Sequence, residues 1–297
     1  MNQRLYLPFA DSQWRIKMGL KPLQIQDWIE IDDQFATYLK RKQELLQNSH
    51  SEVFASLPGS ESAQTEVLNL LLDYLPERFP NYYQRQGKQI KILLTQQIWN
   101  IEDFEINPLD LAGRLVQEDL CLMQPSPEGY ILVAASVCFP AHWRLQDKLG
   151  RPMNQIHQPV PEYPQKLEYP VNNFFDRLKV DSPGYRLNWG IADTPELFLG
   201  HSQSSSRLDT NLTADHVGQK LWIRVERQTL RRLEITSHIL FTIRTYVYPL
   251  FILENHPAIA QSLSAVIQQM PQSMLQYKNL SSKREVLLEY LTKISNI

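Results

Sequence analysis

The chain has 297 residues, with 30 Lys and Arg against 32 Asp and Glu, and a formal net charge of −2. This near balance argues against a large nucleic-acid surface, which requires a clustered excess of Lys and Arg. Hydrophobic residues make up 43% and charged residues 21% of the chain, so the composition favours a folded protein with a real core over a disordered one.

Cysteine usage and hydropathy narrow the protein class further. The two cysteines, Cys121 and Cys138, form no CxxC pair, which excludes a zinc ribbon, a thioredoxin motif and a cysteine-ligated iron–sulfur cluster. The first residues lack the apolar segment of a signal peptide, and Arg244 and Pro249 interrupt the longest apolar stretch, 239–253. We therefore expect a cytoplasmic protein without a membrane partner, and two buried, unreactive thiols.

The N-terminal third is predicted to be helical after an irregular arm over residues 1–26. Apolar residues recur at helical spacing over 27–47, which predicts a helix there. A second helix is predicted over 62–74 and is expected to end before Pro76. A polar loop over 50–61 connects the two.

The middle of the chain contains short elements. Asn and Pro at 107–108 are typical of an N-cap and a first helical position. The apolar run after Gly129 follows a Pro/Gly turn and is too short for most helices, so it predicts a strand. In chain order we predict a helix over 107–118, a strand over 129–138, a short helix over 142–149, a rigid proline-rich loop over 151–164 and a helix over 165–178.

Strand signals dominate the next part of the chain, and helical periodicity returns after about residue 257. Short runs of β-branched and aromatic residues predict strands over 185–190, 197–199, 221–226 and 239–246. The polar segment 201–215 is predicted to be a mobile hairpin loop. Because helices precede and follow the strands, the predicted fold class is α+β, with an antiparallel sheet. No internal repeat and no clear domain boundary are present.

Common catalytic and nucleotide-binding motifs are missing from the sequence. It contains no GxGxxG, no GxxxxGK[ST], no HExxH and no GxSxG. His142 and His157 lie fifteen residues apart, which is not the spacing that places two ligands on one helical face. A site built on one of those motifs is therefore not supported.

His157 stands in a rigid and mostly apolar setting, between Ile156 and Pro159 in the segment 138–161. A neutral imidazole in such a setting is a good axial ligand for haem iron. The alternative is a structural histidine whose ring nitrogen bonds a loop carbonyl, and the residues alone favour this alternative.

The segment 222–233 is rich in arginine. In a strand, Trp222, Arg224 and Glu226 would share one face. If the chain turns helical there, Arg227 and Arg231 would lie one turn apart and could bind an acid group such as a haem propionate. A solvated run of charges, or an internal network of Arg224, Glu226 and Arg227, is an equally good interpretation.

A third segment, 185–190, places Arg186, Asn188 and Gly190 on one face of a predicted strand. Asn188, or Asp193 shortly after it, would be a candidate hydrogen-bond partner for a small amine if it lined a pocket. The sequence alone does not place either residue in one.

These segments together resemble the haem-dependent oxidative N-demethylases and their relatives of unknown function. The resemblance is carried by CFPxxWRLxxKLGRPxxxIHxPVP at 138–161, RLNWG at 186–190 and RxERQTLRRL at 224–233. The segments near Trp14 and Asp27 are similar to the family as well, and the match extends from about residue 8 to about residue 255.

The resemblance implies one domain over 1–297. Its PAS-like core would span about 95–250, with a helical N-terminal part over about 27–80 and a helical C-terminal part over about 256–297. It also implies haem b, with His157 as the axial iron ligand.

The implied reaction uses dioxygen, and electrons from a separate reductase, to remove a methyl group as formaldehyde from a small secondary amine. Charge chemistry, rather than the family, suggests propionate contacts for Arg144, Arg151, Arg227 and Arg231. Glu226 is a candidate carboxylate for a cationic amine. PAS-like folds often sense rather than catalyse, so a haem or small-ligand binding sensor module is the alternative function.

Overall fold

In a computed structural model, which describes residues 4–200 and 212–296, two antiparallel sheets and several helices form the fold. The ten strands are β1 (Lys21–Pro22), β2 (Phe54–Ser56), β3 (Tyr83–Gln86), β4 (Gln89–Ile92), β5 (Gln97–Asn100), β6 (Asp119–Ser126), β7 (Gly129–Ser136), β8 (Gly184–Ala192), β9 (Trp222–Arg232) and β10 (Ile239–Pro249). This mixture confirms the predicted α+β class.

The helices of the described residues lie before, between and after the strands. They are α1 (Phe35–Asn48), α2 (His50–Val53), α3 (Glu61–Arg78), α4 (Pro108–Leu115), α5 (Met153–Ile156), α6 (Tyr163–Lys166), α7 (Glu168–Arg177), α8 (Val217–Lys220), α9 (Pro257–Gln269), α10 (Gln272–Tyr277) and α11 (Arg284–Ser295). Short 3₁₀ turns occupy Ile25–Asp27, Ile101–Phe104, Leu145–Asp147 and Leu250–Asn255. None of the helices in the described ranges is long and apolar enough to cross a membrane.

The main sheet has seven strands in the order β1-β8-β9-β10-β6-β7-β2, and every neighbouring pair is antiparallel. The small sheet contains β3, β4 and β5. In the main sheet, Asn188 of β8 lies opposite Glu226 of β9, which lies opposite Thr245 of β10. Side chains alternate along each strand, so this register fixes which residues share a face.

The two faces of the main sheet are covered differently. The first, which we call the packed face, carries Val225 and Leu240, and lies under the N-terminal helices and, near Val225, under α9 and α11. The second, which we call the pocket face, carries Glu226 and its neighbours of the same alternation. Apolar residues of α7 pack against part of this second face, around Leu230. The rest of the pocket face contains half-buried polar residues.

Several sequence predictions are confirmed. The strands predicted over 129–138, 185–190, 221–226 and 239–246 correspond to β7, β8, β9 and β10. Cys121 and Cys138 are both buried and unpaired, as expected. Burial raises the pKa of both thiols, which keeps them protonated and unreactive.

Other element predictions are wrong. Helix α1 begins only at Phe35, because Asp32 ends the preceding segment by accepting the backbone N–H of Gln34 at 3.0 Å. Helix α3 continues through Pro76, since buried Leu75 accepts the N–H of Phe79 at 2.9 Å and packing holds the last turn. The predicted loop over 50–61 contains α2 and β2.

Two further predictions need correction. Residues 197–199 form no strand and make only an isolated bridge between Leu199 and Ala141. The chain does not turn helical after Glu226, because β9 stays paired with β10 as far as Arg232. The predicted hairpin loop over 201–215 falls mostly outside the described residues.

Candidate functional site

His157 follows the last residue of α5 and is held in one tautomer. Its Nδ1 lies 2.9 Å from the carbonyl oxygen of Met153. A carbonyl only accepts hydrogen bonds, so Nδ1 carries the proton and Nε2 keeps its lone pair. Burial lowers the pKa of His157 to about 4, and nearby Lys148 and Arg186 lower it as well. The imidazole is therefore neutral at neutral pH and has one nitrogen free to bind a metal.

Tyr163 stacks on the imidazole of His157. The two ring centroids are 4.7 Å apart and the planes differ by 9°. Two successive turns bring the tyrosine back to the histidine: Val160 donates its N–H to His157 at 2.8 Å, and Tyr163 donates to Val160 at 3.2 Å. Prolines in this segment limit the backbone freedom of these turns, so the stack is fixed by the sequence.

Lys148 holds the backbone immediately before the histidine. Its Nζ donates to the carbonyl oxygen of Ile156 at 3.0 Å and lies 5.1 Å from the ring centroid of Trp143. Burial lowers the pKa of Lys148. Backbone and ring contacts together thus fix the position of His157.

The pocket face of the sheet carries a polar row from β8 and β9. Glu226 accepts hydrogen bonds on Oε2 from Asn188 at 3.2 Å and from Gln228 at 2.9 Å. Arg186 lies opposite Gln228 on β8. Burial lowers the pKa of Arg186, and Glu226 and Tyr163 act in the opposite direction. These shifts place Arg186 within electrostatic reach of both the glutamate and the tyrosine.

Arg186 and Tyr163 each contain a buried polar atom without a hydrogen-bond partner among the described residues. These atoms are Nε of Arg186 and the hydroxyl of Tyr163. Buried polar groups in native proteins are nearly always paired, so an orphaned group indicates a missing partner. Tyr163 is in contact with His157, and the charge of Arg186 acts on the same histidine.

Lys278, the residue after α10, contacts Trp189 of β8. Lys278 donates from Nζ to the carbonyl oxygen of Trp189 at 2.5 Å and lies 4.9 Å from the ring centroid of that tryptophan. Burial lowers its pKa to about 8, although Glu226 raises it. Sequence analysis did not predict this contact, because Lys278 and Trp189 are far apart in the chain.

Gly190 leaves open space on the pocket face. A Cβ atom added at this glycine would meet no heavy atom within 4 Å in the described part of the chain. The available groups are a free imidazole nitrogen, two orphaned donors and this open surface. The free imidazole nitrogen suits a haem iron, and the donors suit the acid groups of a haem.

The structure brings together some of the predicted site residues and separates others. Glu226 belongs to the same polar row as Arg186, whose charge acts on His157. Arg227 lies on the packed face, where it donates to the carbonyl of Trp28 at 3.1 Å and pairs with Glu30 at 3.4 Å. Successive side chains of a strand point to opposite faces of the sheet, so Glu226 and Arg227 lie on opposite faces.

The other three predicted arginines lie on the packed face or are exposed. Arg231 lies on the packed face with its guanidinium 4.8 Å from the ring centroid of Trp28. Arg144 and Arg151 are exposed, and Arg151 reaches Gln155 at 3.4 Å. Among the described residues, none of these four arginines makes a hydrogen bond or ring contact with His157, and the propionate contacts stay a prediction.

Sequence reasoning missed Tyr163, Arg186 and Lys278 as site residues. The alternation of β8 did place Arg186 beside Asn188, and Tyr163 follows His157 by six residues in the proline-rich loop. Those signals were available but did not distinguish a pocket from a core. Only the fold brings Tyr163 and Arg186 within electrostatic reach of each other.

The fold and this site define a class: an α+β protein that presents one neutral histidine over a sheet face with unpaired polar groups. A family model described as haem-dependent oxidative N-demethylase, alpha subunit-like, matches residues 19–288. This match covers most of the chain, so the protein belongs to that family. The family is haem-dependent by its description, and the protein is thus haem-dependent N-demethylase-like.

Proposed function

We propose that the protein is a haem b monooxygenase that removes a methyl group from a small secondary amine as formaldehyde. His157 is the axial ligand in this proposal. The observation that carries it is the tautomer of His157, with Nδ1 bonded to the carbonyl of Met153 and Nε2 free. Metal-bound histidines are usually oriented by such a bond from the second nitrogen.

Haem b, which is held without covalent attachment, is supported by the sequence. The CxxCH motif that attaches haem covalently is missing. When bound, the haem supplies the redox chemistry in which dioxygen is reduced and the methyl group is oxidised. The electrons would come from a separate reductase, since the sequence contains none of the nucleotide-binding loop motifs considered above.

The protein's own residues would set the conditions of this reaction. His157 holds the iron, and its low pKa keeps the nitrogen unprotonated. Glu226, positioned by two side-chain amides, offers a carboxylate to a cationic amine. The proposal also includes a PAS-like arrangement of the sheet and its helices. It places the protein in the cytoplasm.

The first test is haem ligation. Apoprotein titrated with hemin should develop the Soret band of a histidine-ligated haem. His157→Asn should lose that spectrum, whereas His142→Asn, at an exposed histidine with a left-handed backbone that asparagine tolerates, should keep it. Apoprotein that stays colourless with hemin, or an unchanged spectrum in His157→Asn, would refute the proposal.

The second test separates an enzyme from a sensor. The haem-loaded protein is supplied with dimethylamine, dioxygen and a chemical reductant, and formaldehyde is measured. Release of formaldehyde that requires the amine supports the demethylase. A haem that is bound and reducible but gives no formaldehyde from small methylated amines would favour the sensor module.

A further inference from the structure

Arg224 of β9 binds two chain segments that are far apart in the sequence. Its Nη2 donates to the carbonyl oxygens of Phe139 at 2.6 Å and Leu197 at 3.0 Å, and its Nη1 donates to that of Glu196 at 3.3 Å. The residue is 5% exposed. A guanidinium can reach several acceptors at once because its donors point outward from a rigid plane, whereas the donors of a lysine share one nitrogen. One buried side chain thus joins both segments to the sheet.

The two segments, 138–143 and 196–199, are also bonded to each other, and we call them the paired segments. Leu199 donates its backbone N–H to the carbonyl oxygen of Pro140 at 3.1 Å, and His142 donates its backbone N–H to that of Leu199 at 3.2 Å. They form a parallel bridge of a single residue pair. So short a ladder is marginal by itself, so the position of the paired segments depends on the side chains that anchor them.

A second buried side chain holds the start of the first segment. Asp119 of β6 accepts the backbone N–H groups of Cys138 and Phe139, both at 2.8 Å. Asp119 is 1% exposed. This carboxylate reaches the first segment alone, whereas Arg224 reaches both segments. The effects of the two anchors can therefore be separated by experiment.

The paired segments border the open part of the pocket face. Arg224 lies opposite Gly190, where an added Cβ would meet no heavy atom of the described residues within 4 Å. Glu226 stands two residues further along β9, and its side chain points to the same face as that of Arg224. The carbonyl groups that Arg224 holds therefore lie beside this open surface and beside the carboxylate that we propose for the amine.

The first of the paired segments is also connected to the backbone before His157. It ends at Trp143, whose ring centroid lies 5.1 Å from Nζ of Lys148, and that Nζ donates to the carbonyl oxygen of Ile156 at 3.0 Å. Ile156 directly precedes His157 in the chain. Contacts thus run from Arg224 through the first segment to the residue before the histidine.

We propose that Arg224 is a positioning residue of the haem site. Its three bonds to carbonyl oxygens fix the paired segments as a wall beside Gly190 and Glu226, and this wall restricts the access of small molecules to the iron. The inference rests on the proposed haem function. Arg224 contacts neither the iron nor the amine in this assignment, and it acts through the backbone that it holds.

Hydrogen exchange of the apoprotein, resolved to single amides by NMR, tests the positioning step without haem. In Arg224→Lys, which keeps the charge but loses the planar fork, the amides of His142 and Leu199 should exchange about tenfold faster or more, as expected when bonds to a charged group are lost. The amides of Cys138 and Phe139 should change less, because a carboxylate holds them. Arg224→Gln, which also keeps a donor, takes the place of the lysine variant if that variant does not fold.

Carbon monoxide binding tests the wall in the haem-loaded protein. The reduced protein is mixed with carbon monoxide, and the association rate constant is measured after flash photolysis. In Arg224→Lys this constant should rise about tenfold, since a loosened wall admits small ligands more readily. The Soret band should keep the position of a histidine-ligated haem.

Arg232→Lys is the matched control. Arg232 points to the same face of β9 and also bonds carbonyl oxygens of two segments, those of Leu178 at 2.6 Å and Ser237 at 2.8 Å. It stands eight residues from Arg224, which is about 26 Å along the strand. The variant should lose stability, but the exchange of the His142 amide and the association rate constant of carbon monoxide should stay at their wild-type values.

Three results would overturn the inference. Unchanged exchange of the His142 and Leu199 amides in Arg224→Lys would show that the arginine does not hold the paired segments. Faster exchange with an unchanged rate constant for carbon monoxide would show that the segments form no wall. Equal changes in Arg224→Lys and Arg232→Lys would reduce the effect to a general loss of stability.

Failure of the proposed function is distinguishable from these results. A wild type that binds no haem would remove the function and the wall with it, and it would do so before any variant is compared. The exchange rates of the apoprotein would still report whether Arg224 holds the paired segments.

Discussion

The packed face and the pocket face of the main sheet treat an arginine differently. On the packed face, Arg227 donates to the carbonyls of Asp27 and Trp28 and pairs with Glu30. On the pocket face, Arg186 of the neighbouring strand has no hydrogen-bond partner within the described ranges. Arg227 is buried and compensated, whereas Arg186 is half-buried and its buried Nε is unpaired. A compensated buried charge belongs to the fold, and an uncompensated one indicates a ligand.

On the packed face, Arg244 is compensated by a carboxylate and two rings, although its Nε has no hydrogen-bond partner among the described residues. Arg244 is fully buried, pairs with Asp32 at 2.8 Å, and lies 4.1 Å and 4.6 Å from the ring centroids of Tyr38 and Tyr246. Burial lowers the pKa of Arg244, but these neighbours and Glu118 outweigh that effect and raise it. The network connects the irregular segment before α1 to the sheet.

The largest expected loss of stability therefore comes from a substitution on the packed face. Arg244→Leu should lower the free energy of unfolding by about 3–5 kcal/mol, because it leaves the Asp32 carboxylate buried without its partner. Chemical denaturation of the apoprotein measures this loss. The matched substitution on the pocket face, Arg186→Leu, should leave apoprotein stability unchanged or raise it, since it removes a charge that lacks a partner. Similar losses in both variants would contradict the contrast between the two faces.

Substitutions of two glycines test the same difference between the two faces, with a smaller expected change in stability. A Cβ at Gly113 in α4 would lie 2.7 Å from Cβ of Ser136, whereas a Cβ at Gly190 would meet open space. Gly113→Ala should cost about 1–3 kcal/mol of stability through overpacking. Gly190→Ala should cost little, and the bulkier Gly190→Phe should keep the apoprotein folded but weaken hemin binding. Thermal unfolding and Soret titration report the two quantities separately.

If Gly190→Phe bound hemin as tightly as the wild type, the open surface at Gly190 would not be part of the haem site. If Gly113→Ala were as stable as the wild type, Ser136 would have room to move and the packed face would be less dense than the structure shows.

The sequence predicted four strands of the main sheet, β7 to β10, better than the arrangement of its charges. Alternation along β8 and β9 is a local property, so Arg186, Asn188 and Glu226 could be assigned to shared faces from the residues alone. Which face would be covered depends on helices that come from both ends of the chain. That is why Arg227 could be mistaken for a ligand contact while Arg186 was left without a role.

Short elements and long-range contacts were the other failures. The strands β2, β3, β4 and β5 have no more than four residues each, too few for a periodic signal to show. Lys278 reaches the edge of β8 from the C-terminal helices, and only the tertiary fold brings it there. His157 was singled out because its proline-rich setting is local, although the residues alone favoured a structural role for it.

A substitution of Arg231 should give the smallest change in stability. It tests whether an arginine on the packed face contributes to the fold and not to haem binding. Its guanidinium lies over the ring of Trp28, so Arg231→Met, which keeps most of the apolar stem, should cost about 0.5–1 kcal/mol of stability by loss of the cation–π contact. Hemin affinity should stay at the wild-type value, because the side chain faces away from His157. Unfolding curves and Soret titrations of the same preparation measure both. A clear loss of hemin affinity with unchanged stability would indicate that Arg231 contacts the haem. The charge pattern of β9 would then predict the haem contacts better than the position of each residue on a face of the sheet does.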